Sequence, residues 1–396
     1  MIQARHAFAL ALRSLLFQRV RSGLVIVAIA LVAGLPLIVR SLVASGTDAM
    51  MARARSTPLI VGSPGSELDL VVAALYHANP APRPFAIGEF TRLSTSTRGV
   101  AVPLHLGFTA QRHALVGTTL DYFAARTMRL AKGRLFGTLG ECVLGANAAR
   151  ELTSDGNDHL VTDATDPYNL AGMIPLKLRI VGVLASTSTA DDDAIFVDVK
   201  TAWTVAGIGH GHQAAETVAD PNDLVGRVDG HVVTSERLRH FEEITPESLA
   251  SFHFHGDPET FPVHAILLWP ANAKEATLLQ GAFQRSGEPL QIVKPSDAMA
   301  RLLREILRVQ RFLDAVFLAV GCVTLAVVGL VIALSIRLRR DELVTMVRLG
   351  ASRRTVAGII LAELCLMLVL AGAIVAAGLA ISRPMQPVVE RLLVHR

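Results

Sequence analysis

Three groups of residues in this chain have types and spacings that could do chemistry. His210 and His212 in "GHGHQ" are separated by a single residue, as are His253 and His255 in "HFH". Alternate residues of an extended strand share a face, so either pair could bind Zn²⁺. No firm Cys, Asp or Glu spacing accompanies them, and solvated loop histidines are the simpler reading. His210 and His212 stay weak candidates and no metal is assigned. Asp191, Asp192 and Asp193 could bind Ca²⁺, but a polar hairpin turn between two strands accounts for them more simply. Glu363 is a lone carboxylate in an apolar run, costly in lipid unless it faces protein or reaches the interface. A proton or ion path is the sharp reading of Glu363; pairing with a basic group near the preceding bend, or on a partner, is the simpler one. Neither a nucleophile elbow nor H-E-x-x-H is found, so no catalytic residue is assigned.

The elements that must position these groups are dominated by apolar sequence. Hydrophobic residues make up 51% of the chain and charged residues only 18%, with a mean hydropathy of +0.44. That excess needs a home in lipid. Three windows, 22–47, 315–336 and 355–382, reach the roughly 20 residues a helix needs to span a bilayer. The first is read as a retained span, since no good A-x-A site follows it. The leader 1–21, with Arg5, Arg13, Arg19 and Arg21, suits a basic amphipathic helix at the cytoplasmic interface. Together with the six arginines of 337–354, it places both segments in the cytoplasm by the positive-inside rule. The segment 48–295 and the tail 383–396 then lie outside. Aromatics are only 5% and no basic stripe is interleaved with them, which argues against nucleic-acid binding. Cys322 and Cys365 fall in spans and Cys142 stands alone outside, so no disulfide framework is expected.

The exterior segment alternates strand and helix patterns, predicting a mixed α/β domain of two subdomains, one inserted in the other. "TPLIVG", "GVAVPLHLGF", "HALVGT" and "CVLG" read as strands and "ELDLVVAALYHA" as a helix. "IPLKLRIVGVLAS" and "AIFVDV" read as a strand pair joined by a polar turn. "PVHAILLWP", "NAKEATLLQGAFQR" and "LQIV" make a β-α-β unit, and 207–260 is loop-heavy. From 296 to 314, Met299, Leu302, Leu303, Ile306, Val309 and Leu313 share one helical face. That periodicity continues without a breaker into the second span, which predicts a stalk helix. The fold class expected is a helical bundle of three spans with a large mixed α/β extracytoplasmic domain between spans one and two.

Between spans two and three, "RLRRDELVTMVRLGASRRTV" writes helix, sharp turn, helix. Gly350 suits the residue after the first helix, where a left-handed conformation carries no Cβ penalty, and Ser352 suits the cap of the next. Beginning at these residues, "RRDELVTMVRLGASRRTVAGIILAE" is similar to the signature of FtsX/MacB-type permeases of ABC transporters. The match falls on Glu342, Met346, Arg348, Leu349, Gly350, Ala351, Ser352 and Glu363, with Arg353 and Arg354 beside them. It extends to "LALRSLLFQRVRSGL", "KGRLFGTLGECVLGANAA" and "LRIVGVLASTSTADDDAIFVD".

The resemblance implies a multi-pass protein of the bacterial inner membrane with a periplasmic domain. It also implies coupling through the elbow and the leader to a separate ATPase subunit, and pairing as a homodimer or with a related permease. No G-x-x-x-x-G-K-[ST] occurs, so ATP and Mg²⁺ would belong to that ATPase, with no cofactor in this chain. Export or extraction of a lipophilic or peptide-like substrate, or switching of a periplasmic partner, is the expected work. Family members carry four spans, whereas "RPMQPVVERLLVHR" is too short and charged to cross, so three are expected here. The reading from another class is a membrane-anchored sensor or scaffold whose exterior domain binds a ligand without a motor.

Overall fold

The computed structural model describes residues 2–17, 19–153, 156–163, 175–210, 224–228, 231–234, 242–245, 248–285, 287–338, 340–349 and 351–382. They fall into two units, one built from residues up to Asp48 and from Leu303 onward, the other from Ala49–Leu302. Two helices open the chain, α1 (Ile2–Phe17) and α2 (Arg19–Ser56). The last turn of α2 carries Arg53 and Arg55, cations placed at the negative end of the helix dipole.

The exterior unit continues with β1 (Leu59–Gly62), every residue of which is buried, and α3 (Glu67–Tyr76). Ser66 caps α3 by accepting from the Asp69 N–H at 3.2 Å, and His77 closes it in a left-handed conformation, φ 56°. Then come β2 (Phe85–Ala86), α4 (Gly88–Ser96), β3 (Gly99–Ala110), β4 (His113–Thr118), α5 (Asp121–Ala125) and β5 (Leu130–Gly133). They are followed by β6 (Glu141–Leu144), α6 (Ala146–Leu152), β7 (His159–Val161), β8 (Leu176–Leu184), β9 (Ile195–Asp198) and α7 (Val199–Val205). Short strands occupy the next stretch: β10 (Gly209–His210), β11 (Leu224–Val228), β12 (His231–Thr234), β13 (Glu242–Glu243) and β14 (His253–Phe254). The unit ends with β15 (Pro262–Val263), β16 (Ala265–Pro270), α8 (Ala273–Phe283), capped by Asn272, and β17 (Gln291–Val293).

One mixed sheet organises these strands in the order β13-β8-β6-β9-β4-β3-β16-β1-β17, with β5 and β7 also pairing β8. β16 and β17 both run antiparallel to β1 and flank it, so the β-α-β unit around α8 is split by a strand from the start of the domain. The expected pairing of β8 with β9 does not occur. β6 lies between them, parallel to β8 and antiparallel to β9, with all four of its residues buried. A polar link between two apolar runs is equally compatible with a hairpin and with a third strand slipping between them; burial of "ECVL" decides for the second. The core that results packs Ile60, Leu70, Leu104, Val116, Tyr122, Phe123, Phe196 and Leu267 together.

The other unit completes its helices with α9 (Pro295–Leu338), α10 (Arg340–Arg348) and α11 (Arg353–Ser382). α2, α9 and α11 are long and apolar enough to cross a membrane. Leu15, Val25 and Met367 are buried against Ile26, Ile29, Val328, Val331 and Leu366, so α1, α2, α9 and α11 share one apolar cluster. Many of their other apolar side chains, such as Leu31, Leu318 and Leu325, are exposed, as expected of helices solvated by lipid. Arg40 of α2 makes a two-pronged ion pair with Asp314 of α9, at 3.0 and 2.8 Å.

Candidate functional site: a capped elbow and a buried ion network

The elbow joining α10 to α11 is closed by its own backbone. Leu349 N–H donates to Thr345 O at 2.9 Å, and Ala351 N–H donates back to Met346 O at 3.0 Å. The second bond spans six residues, the closure by which helix ends satisfy their last carbonyls. Ser352 then caps α11: its Oγ accepts from the Thr355 N–H at 3.1 Å and lies 2.9 Å from the Thr355 hydroxyl. Two helices therefore meet across a turn closed by backbone hydrogen bonds on one side and by the Ser352 cap on the other. Glu342, Met346 and Arg348 lie in α10, and Arg353 and Arg354 open α11. Gly350 lies outside the described residues. The side chains that stand out are apolar: Leu349 is 84% exposed at the apex, with Val344, Met346 and Val347 exposed behind it.

Glu363, two to three turns into α11, is only 6% exposed. Its Oε2 accepts a hydrogen bond from the Ser14 hydroxyl of α1 at 3.3 Å. The carboxylate thus faces protein, which lowers the cost of placing it among apolar helices. That hydrogen bond ties α11 to the leader helix α1.

Sequence reasoning missed the densest polar site. Arg53, in the last turn of α2, is buried and grips Asp191 in a bidentate pair, Nη1 to Oδ2 at 2.5 Å and Nη2 to Oδ1 at 2.6 Å. The Tyr122 hydroxyl donates to the same Oδ1 at 2.6 Å, and His77 Nε2 lies 3.0 Å from it. A carboxylate can only accept, so His77 carries its proton on Nε2. Arg53 Nε also donates to Leu75 O at 3.1 Å, fastening α2 to the end of α3. Burial alone would raise the Asp191 pKa; the charge of Arg53 and the hydrogen bonds from His77 and Arg53 outweigh it and hold the group well below the ordinary value. Burial pushes Tyr122 up to about 12 and lowers His77, so both donate as neutral groups.

The aspartate run is therefore not the polar hairpin turn expected, since it links β8 to β9 and β6 lies between those two strands. Asp192 accepts from Ser186 Oγ and from the Thr187 and Ser188 N–H groups at 2.7–2.9 Å, and Asp193 from Asn147 Nδ2 at 2.8 Å. Three consecutive carboxylates are turned inward to fix the 3₁₀ turn Ala190–Asp193 between β8 and β9. The signal available was "STSTADDD" itself, a turn rich in short donors ahead of its acids; the long-range partner Arg53 carried none.

Glu141, within the stretch "KGRLFGTLGECVLGANAA", is a second hub. It pairs with Arg134 at 2.5 Å and with Arg179, and accepts from the Gly137 N–H at 2.9 Å. Chiefly through the Arg134 hydrogen bonds its pKa is lowered. His210 lies in β10, opposite His253 of β14, with His255 alongside; His212 lies outside the described residues.

The MacB-like periplasmic core domain family matches residues 22–230. The chain resembles the periplasmic region of MacB from Actinobacillus actinomycetemcomitans at 11% identity, covering 64% of this chain and 97% of that one, with a TM-score of 0.34. It also resembles the extracellular domain of the noncanonic ABC-type transporter YknZ from Gram-positive bacteria at 16% identity, covering 60% of this chain and 99% of that one, with a TM-score of 0.31. No curated protein matches it. With more than half of its 396 residues inside the matched family, the chain belongs to the MacB-like periplasmic core domain proteins and is of the MacB/FtsX permease type.

Proposed function

We propose that this chain is the permease subunit of a bacterial ABC transporter, seated in the inner membrane with 48–295 in the periplasm. It works as a homodimer or with a related permease, and a separate ATPase binds ATP and Mg²⁺. Closure of that ATPase presses on the α10–α11 elbow, and the exterior domain moves in response, to export or extract a lipophilic or peptide-like substrate or to switch a periplasmic partner. The observation that carries this reading is the elbow's construction: a turn closed by Ala351 N–H and Ser352 Oγ, with an exposed leucine at its apex. A rigid apolar tip rimmed by Arg348 and Arg354 suits insertion into a pocket on another protein, where a buried leucine contributes about 1.5–3 kcal/mol.

The test is co-purification of the full chain with a co-expressed ATPase carrying a phosphate-binding loop. Leu349→Asp and Arg354→Glu should each reduce recovery of the ATPase and its stimulated turnover. Undiminished recovery with both changes combined would overturn the elbow as the docking point and favour a motor-free scaffold.

A further inference from the structure

The exterior unit holds a second site, distinct from the elbow and the Arg53 network and independent of the transport reading. We propose that His210, His253 and His255 form a three-histidine site for a divalent cation of the Zn²⁺ class. His210 and His253 are direct partners across the two-residue antiparallel ladder of β10 with β14. His255 follows His253 by two, and its ring stacks on that of His210 with centroids 4.8 Å apart. The three pairs of ring centroids lie 4.6–5.0 Å apart, and one ligand nitrogen from each ring falls within 4.8 Å of the others. Tetrahedral coordination at about 2.1 Å per bond sets such nitrogens about 3.4 Å apart, so closure needs movement of roughly an ångström.

The surroundings support ligation. Ser251 O lies 3.0 Å from His253 Nδ1. A carbonyl only accepts, so Nδ1 carries the proton and Nε2 the lone pair, the orienting arrangement found behind metal-bound histidines. Phe254, between His253 and His255, points to the opposite face and packs with Trp203 and Phe261 at centroid distances of 6.2 and 6.0 Å. Gly209 makes that packing possible, because a Cβ there would sit 2.6 Å from the Phe254 ring. The ribbon thus has one face locked in an apolar cluster and the other tiled with imidazoles. Such a short ladder is marginal by itself; a cation bound across it would fix its register.

All three donors are imidazoles, and no carboxylate or thiol joins them among the described residues. That set favours Zn²⁺, Cu²⁺ or Ni²⁺ over Ca²⁺ and Mg²⁺. Three protein ligands leave the fourth position to water or an exogenous group, an open rather than a closed structural site.

The experiment titrates Co²⁺ into the full chain in detergent, purified without a histidine tag. One equivalent should bind with the visible absorption of tetrahedral Co²⁺, and ZnCl₂ should bleach it. His255→Ala, at an exposed position that places no burden on folding, and His210→Ala should each weaken binding by more than about a hundredfold, beyond the roughly 10–100-fold loss typical of an outer-shell change. Absence of saturable binding, or an affinity in both variants equal to that of the parent, would overturn the assignment and place any signal on the other histidines of the chain.

Discussion

Asp191 accepts hydrogen bonds from Arg53, Tyr122, His77 and Thr189, all of them wholly or largely shielded from solvent. Replacing it with Asn keeps the volume but leaves the Arg53 guanidinium buried without a counter-charge. Breaking a buried pair from one side costs about 3–5 kcal/mol, so Asp191→Asn should lower the stability of the exterior unit by that amount. Arg53→Met combined with Asp191→Leu removes both charges and should recover much of the loss, since buried pairs replaced by apolar side chains are often neutral. Urea titration of the full chain followed by tryptophan fluorescence reads both variants; an Asp191→Asn protein as stable as the parent would show that Arg53 reaches water. Sequence could not reveal this pair. Arg53 lies among alanines at a helix end and Asp191 in what reads as a polar turn, and neither position carries a local mark of the other. His210 shows the same limit from another side: its metal-capable type was legible, but its strand partner His253 is supplied by the β10–β14 ladder, which also brings His255 beside it.

Elements whose determinants lie within a few residues were the legible ones. Ser352 caps α11 through a bond to Thr355, three residues on, and Ser66 and Asn272 cap α3 and α8 in the same way. The order of β8, β6 and β9 was not legible, because which strand enters a sheet between two others is decided by burial across the whole domain. The elbow permits a prediction at this scale. Ser352→Ala removes the cap and should cost about 1 kcal/mol of local stability at the start of α11, whereas Ser352→Asn should retain most of it. If stiffness of the turn matters for coupling, Ser352→Ala should lower ATPase stimulation in the reconstituted complex more than it lowers ATPase recovery. Equal stimulation by the parent and the Ala variant would show that the remaining backbone closure, Ala351 N–H to Met346 O, holds the turn alone.

Across the whole molecule the two units have separate chemistry, and pH should tell them apart. Both tryptophans of the chain, Trp203 and Trp269, belong to the exterior unit, so fluorescence of the intact protein reports that unit alone. Its centre contains buried histidines on the β3–β16 seam. His105 and His264 meet edge to face at 4.7 Å, and the Leu106 N–H donates to His264 Nδ1 at 3.1 Å. Burial lowers His105 to about 3, with the neighbouring His264 adding to the effect, and burial lowers His264 to about 4. The unfolded chain protonates both near 6.5, so below that pH the unfolded state binds more protons and stability falls. The contribution is complete above about pH 6.5 and is lost as pH drops toward 4, at roughly 1 kcal/mol per pH unit for each histidine. Urea midpoints should therefore decline steadily between pH 6.5 and 4.5, with His77, also lowered by burial, adding to the slope. His105→Leu removes one of these protons from the balance and should flatten the decline. A midpoint independent of pH across that interval would mean that the seam admits a charged imidazole, and with it water, into the middle of the sheet.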